Sequence, residues 1–142
     1  MQFALNQCPL GSIYAYAKAF TPLLDKPLEG PVYLRSNGGE RELPDIVADL
    51  KGQVHIILVG FIDSVNGGIR TTFDAVPDAP VSKFVLEMQG GKKGLIVNSR
   101  NLCASKNRAK VSFKGQNGKV YDSKPVLKAS CGKKKGKKHK RK

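Results

Sequence analysis

The chain has only two histidines in 142 residues. One of them, His139, stands in a run of lysines, which leaves His55 as the sole candidate for a base beside a serine or cysteine nucleophile. General acid–base chemistry needs such a base held in place by neighbours, and hydrolase or transferase chemistry therefore fails for want of parts. His55 reads instead as the occupant of a strand position. Long apolar runs are missing too: the best, residues 56–62, has seven members, against about 20 for a membrane-spanning helix. The first eight residues lack the basic and apolar regions of an export signal, and Leu5-Asn6-Gln7-Cys8 is a poor lipidation site because bulky polar residues replace small ones.

Metal and phosphate motifs are equally scarce. None of the three cysteines falls in a C-x-x-C pair, so a zinc site is not expected. Asp74 and Asp78 flank a proline-containing loop, but calcium wants six to eight oxygens, and turn chemistry accounts for both acids. The pairs Gly38-Gly39, Gly67-Gly68 and Gly90-Gly91 fit neither dinucleotide nor Walker spacing and read as turns. No metal and no cofactor is expected.

What is present in excess is positive charge, and it is confined to one end. The formal net charge is +14. Residues 1–100 carry ten Lys and Arg against ten Asp and Glu, residues 101–131 add seven against one, and residues 132–142 add eight with no acid. Any electrostatic partner is to be sought in the C-terminal part. In the last stretch, GKKKGKKHKRK, the cations are Lys133, Lys134, Lys135, Lys137, Lys138, Lys140, Arg141 and Lys142. Eight like charges in eleven residues repel one another and bury nothing, so disorder is expected there. Near an anionic surface each contributes on the order of 1 kcal/mol, and the attraction weakens with salt. The functional reading is adhesion to a polyanion: wall-linked phosphate polymers, acidic lipid or nucleic acid. The plainer reading is a solubilising or degraded tail without a single partner. Specific nucleic-acid recognition is disfavoured, because the tail has no aromatic residue to stack on bases.

The body of the chain reads as strands. In VHIILVGFIDSVNGGIRTTF, residues 54–73, Asn66-Gly67 between β-branched runs is a strong hairpin signal. Val54, Ile56, Leu58 and Ile62 point one way, Ile57, Val59 and Phe61 the other, which predicts something packed on each face. Ile13, Ala15, Ala17 and Ala19 alternate with larger residues up to Phe20, and Thr21-Pro22 ends that strand. Residues 23–30 read as an apolar-tipped loop or a short irregular strand, residues 31–35 and 46–50 as strands. Residues 81–88 resume after two prolines, with Ser82, Phe84, Leu86 and Met88 on the core side, and residues 95–97 return as a further strand. Two weaker strands, 109–113 and 120–127, join at Asn117-Gly118. Eight or nine short strands without a convincing helix predict an all-β fold, an antiparallel two-layer β-sandwich. It is expected over residues 1–131, with its main part at 8–103, a weaker hairpin at 104–131 and the tail at 132–142.

The cysteines admit two readings. One is three buried thiols in a cytosolic protein. The other, which we favour, is a Cys103–Cys131 disulfide in an exported protein, leaving Cys8 for a partner outside this chain. Closing 28 residues adds roughly 3 to 4 kcal/mol in the chain-entropy treatment.

Several ordered motifs then carry a resemblance: Cys8-Pro9 followed by Ser12, Thr21-Pro22-Leu23-Leu24, Leu28-Glu29-Gly30-Pro31-Val32-Tyr33-Leu34, Thr71-Thr72-Phe73 with Pro77-Asp78-Ala79-Pro80, and Gly90-Gly91-Lys92-Lys93-Gly94-Leu95. Over residues 8–103 the chain resembles a β module repeated in long exported surface proteins of high-GC Gram-positive bacteria. The resemblance implies no catalytic or ligand residues. A second cysteine usual upstream of the Cys-Pro motif is missing here, and Ala15 replaces a glycine. The expectation is therefore a C-terminal piece of a longer protein whose preceding modules and export signal lie upstream.

These readings give a non-enzymatic structural or adhesion module, extracellular or at the cell surface, with the basic tail on anionic envelope polymers. The alternative is an intracellular nucleic-acid-associated or ribosome-associated protein using the tail with Lys106, Arg108, Lys110 and Lys114.

Overall fold

The computed structural model describes residues 8–132. The chain divides into two compact units, one ending at Ile96 and one beginning at Val97. The first is a six-stranded antiparallel sheet built from β1 (Ile13–Phe20), β2 (Leu28–Arg35), β3 (Asp45–Lys51), β4 (His55–Val65), β5 (Gly68–Thr72) and β6 (Lys83–Met88). Its strand order is β5-β4-β3-β2-β1-β6, and it curls into a half-barrel. Consecutive strands pair as neighbours except at the last step, where β6 crosses back to the far side of β1.

The turn that the sequence marks most clearly is present. Asn66 and Gly67 both hold positive φ, 51° and 76°, and Phe61↔Thr72 through Val65↔Gly68 pair in unbroken register. The alanines of β1 behave as expected: Ala15 and Ala17 are fully buried while Tyr16 is exposed between them. They join Leu28, Val32, Ile46, Ala48, Leu50, Leu58 and Ile62 in one cluster on a single face of the sheet.

The fold is all-β and antiparallel, but the strands of this unit form one sheet, not two layers. β3 explains how one sheet suffices. Six of its seven residues are buried, with Ile46, Ala48 and Leu50 in the cluster and Asp45, Val47 and Asp49 on the opposite face. Side chains cover only part of that second face, where a second sheet was expected: the Arg41 guanidinium lies 3.8 Å over the Phe61 ring, while Ile57 stays 47% exposed.

Three local departures have physical causes. β2 begins at Leu28, so Gly30 and Pro31 lie inside a strand between two partners. Pairing with β3 lapses at these two residues. Proline has no N–H to give there, and Gly30 lies so close to β3 that an added Cβ would stand 1.7 Å from the Asp49 carbonyl oxygen. In β1 the register with β2 shifts between Ile13 and Ala15. This bulge puts Tyr14 against the core with the alanines. The Tyr14 hydroxyl donates to Met88 Sδ at 3.2 Å, and burial raises its pKa. On β6, an edge strand, only Leu86 packs on the core, whereas Phe84 and Met88 are 40% and 49% exposed. The strand expected at 95–97 is not formed: Gly91–Lys93 is a 3-10 turn, and Leu95, Ile96 and Val97 are exposed.

The second unit contains β7 (Asn107–Arg108), β8 (Val111–Lys114), β9 (Val120–Ser123) and β10 (Val126–Leu127). The pairs β8–β9 and β7–β10 are assigned as separate two-stranded sheets. Their registers nevertheless continue one another: Arg108↔Val126 and Val111↔Ser123 belong to the same uninterrupted count. Together they are one long hairpin, broken where Pro125 cannot donate but still accepts from the Ala109 N–H at 3.0 Å.

Candidate functional site

The tail residues Lys133, Lys134, Lys135, Lys137, Lys138, Lys140, Arg141 and Lys142, with the disorder expected of them, lie outside the described residues. The folded cations immediately before the tail are described, and the hairpin positions them. Its turn closes through Gly115 N–H to Lys119 O at 2.8 Å and Gly118 N–H to Gly115 O at 3.0 Å. Gly118 holds φ 79°, a conformation glycine adopts without steric cost, as the Asn117-Gly118 pair led us to expect.

A strand alternates its side chains between two faces, and the shared register makes this alternation continuous over both halves of the hairpin. Arg108, Lys110, Lys114 and Lys124 therefore fall on one face, with Asp122 as its only acid. All five are exposed. Lys110 and Lys124 hold opposite positions, a like-charge pairing that is unfavourable without an anion between them. Val111, Phe113, Tyr121 and Leu127 fall on the other face. The half-buried residues of the hairpin, Asn107, Ala109, Val111 and Ser123, are all on that side. At the tip Phe113 and Tyr121 are 62% and 66% exposed, their ring centroids 6.4 Å apart and tilted by 30°.

The base of the unit is held by side chains and by one covalent bond. Cys103 and Cys131 form a disulfide with Cα atoms 5.8 Å apart, the pairing the sequence reading favoured. Asn107 Nδ2 donates to the carbonyls of Leu102 and Ser105 at 3.1 and 3.0 Å. Arg108 Nη1 donates to Lys124 O at 2.8 Å, fixing the guanidinium across the strands. All six ion pairs among the described residues belong to the first unit. The cations of the second unit thus carry their charge to solvent.

The titratable groups of the first unit are arranged differently. Asp45 is buried and accepts from Arg41 Nη1 at 2.8 Å, with Arg35 Nη2 at 3.5 Å. Asp49, also buried, pairs with Lys51 Nζ at 3.4 Å and with His55 Nε2. His55 is in the strand position expected of it, and its partner went unnoticed in the sequence because Asp49 lies on the neighbouring strand. Lys51 and His55 occupy opposite ends of one register pair, so the Lys51 ammonium and the His55 ring converge on one carboxylate at the end of the β3–β4 ladder. Buried carboxylates need such pairing, and the arrangement answers that need. Asp74 and Asp78 are exposed in the link before β6, and no group of three or more His, Cys, Asp or Glu among the described residues is placed to hold a metal ion. Cys8 is unbonded and half-buried.

Among the described residues, no helix is long and apolar enough to cross a membrane. Comparison of the chain with protein-family models, with curated proteins and with solved structures returned no match.

Proposed function

We propose that this chain is a non-enzymatic adhesion module of an exported surface protein, in which the sheet is the scaffold and the C-terminal basic region contacts an anionic polymer of the cell envelope. The observation that carries this reading is the cationic face of the hairpin: four exposed cations against one acid, with Lys110 opposite Lys124. Such a face, followed by eight further cations, suits a partner that supplies negative charge at many points. The Cys103–Cys131 bond supports an oxidising compartment over the cytosol and so favours this reading over an intracellular nucleic-acid-associated one. The resemblance of residues 8–103 to exported repeat modules supports the same reading, with the preceding modules as further partners.

The test is retention of the full chain on polyphosphate-bearing beads. The chain is expected to bind at low salt and to elute as salt rises. Removal of residues 133–142 together with Lys110→Gln and Lys124→Gln should move elution to much lower salt, since ten cations are lost. Elution unchanged by these substitutions would defeat the reading.

A further inference from the structure

The aromatic tip of the hairpin is not used by a contact that needs only charge. Phe113 and Tyr121 occupy the last register pair but one before the turn, on the face opposite the four cations, and both rings stand largely in solvent. Exposed aromatic pairs are costly to leave in water, and where they form a patch they mark a contact site. The distribution of charge identifies the kind of contact. A single-stranded nucleic acid stacks its bases on rings while its phosphates meet cations beside them, whereas an aliphatic side chain offers no face to a base, and Val120, 57% exposed, stands beside Lys114 on the other side of the tip. The tip thus gathers two rings and a valine with cations at its end, the combination found in elements that lie in a lipid interface. Two cations stand at the very end of the hairpin: Lys114 in the last register pair and Lys119 just before β9.

We propose that the tip of this hairpin enters the headgroup layer of an anionic lipid bilayer. Phe113 and Tyr121 reach the boundary of the apolar region, where a ring with a polar end such as tyrosine is favoured. Lys114 and Lys119, at the end of the hairpin, place their ammonium groups among the lipid phosphates. The disulfide at the base holds the strands together so that the tip is presented preformed. The proposal rests on the reading of this region as an adhesive one and adds a second, apolar component to it.

The experiment is co-sedimentation of the full chain with vesicles of phosphatidylglycerol and phosphatidylcholine in equal parts, and with phosphatidylcholine alone. The chain should pellet with the first and not the second. Phe113→Ser with Tyr121→Ser, both at exposed positions, should weaken vesicle binding at least tenfold while leaving polyphosphate retention within about twofold. The chain has no tryptophan, so Phe113→Trp supplies a single reporter whose emission should shift to the blue on the anionic vesicles. Equal vesicle binding by the serine variant, or unshifted emission from vesicle-bound Phe113→Trp protein, overturns the proposal. So does a variant that keeps vesicle binding but loses affinity for oligothymidylate, which would make the rings a base-stacking platform. A chain that binds polyphosphate and not the vesicles overturns this inference alone. A chain that binds neither overturns the adhesive reading beneath it.

Discussion

The two units of this chain are held by different means. Up to Ile96 there are nine Lys and Arg against ten Asp and Glu, and every fully buried hydrophobic residue among those described lies between Ala15 and Ile62. Burial stabilises this unit, and its two buried carboxylates are neutralised by neighbours. From Val97 to Gly132 there are eight cations, one acid and no fully buried residue. A segment this small cannot gain enough from burial to offset its chain entropy, so a covalent closure takes over that role. The difference teaches a division of labour: a surface that need not supply a core is free to carry unpaired charge and exposed rings.

The sharpest way to break this comparison is to open the disulfide. Cys103→Ser with Cys131→Ser should cost the second unit roughly 3 to 4 kcal/mol, enough to abolish its folding. Amide exchange in Val111–Lys114 and Val120–Ser123 should rise to free-peptide rates, while β1 to β4 keep their protection. Protection that survives in the hairpin would show that packing holds it, and the contrast between the units would collapse.

A smaller effect tests the other side. Gly30→Ala forces a methyl group toward the Asp49 carbonyl in a close-packed strand pair, where overpacking costs about 1 to 3 kcal/mol, and the contact with rigid backbone places this substitution at the upper end. Gly11→Ala, with nothing within 4 Å of the added atom, is its control. Denaturant midpoints should fall for the first and hold for the second. Equal midpoints would mean that the sheet relaxes there and that tight packing is not what sets this unit apart.

The features legible in the sequence were those fixed by local chemistry. Asn66-Gly67 needs no tertiary information, because its backbone preference makes the turn; the alternation of alanines in β1 and the β-branched run of β4 are of the same kind. What was not legible depends on distant partners. Pro31 reads as a strand start until β3 is known to leave a gap opposite it. Phe84 and Met88 share the parity of Leu86, yet their exposure follows from β6 being an edge, which the crossover to β1 decides. The two-faced apolarity of β4 suggested a second layer, whereas Arg41 and Phe61 cover part of that face. In the second unit the even-numbered spacing of Arg108, Lys110 and Lys114 was a visible period-two signal. Its meaning, a cationic face opposite an aromatic one, waited on the register that brings Lys124 and Tyr121 alongside.

The smallest expected effect concerns the one ion pair whose titration is visibly altered, on the rim of the first unit. Arg70 Nε donates to Asp63 Oδ1 at 3.1 Å across the β4–β5 hairpin. That hydrogen bond holds the Asp63 carboxyl below its ordinary value against an opposing desolvation, with the charge of Arg70 adding a smaller push in the same direction as the bond. A carboxyl with a depressed folded-state pKa contributes stability that is fully present above the unfolded value of about 3.9. The contribution is lost as pH falls through the lower folded value. Because Arg70 is exposed and Asp63 is partly exposed, solvent and salt screen the pair, and its effect on global stability should be near the limit of detection. The measurable consequence is local. Arg70→Gln should return the Asp63 titration, followed by carboxyl carbon shifts, toward the ordinary carboxylate value, and high salt should move the native protein the same way. An Asp63 titration indifferent to both would show that the pair does not persist in solution, and that charge neutralisation in the first unit is confined to the buried carboxylates of β3.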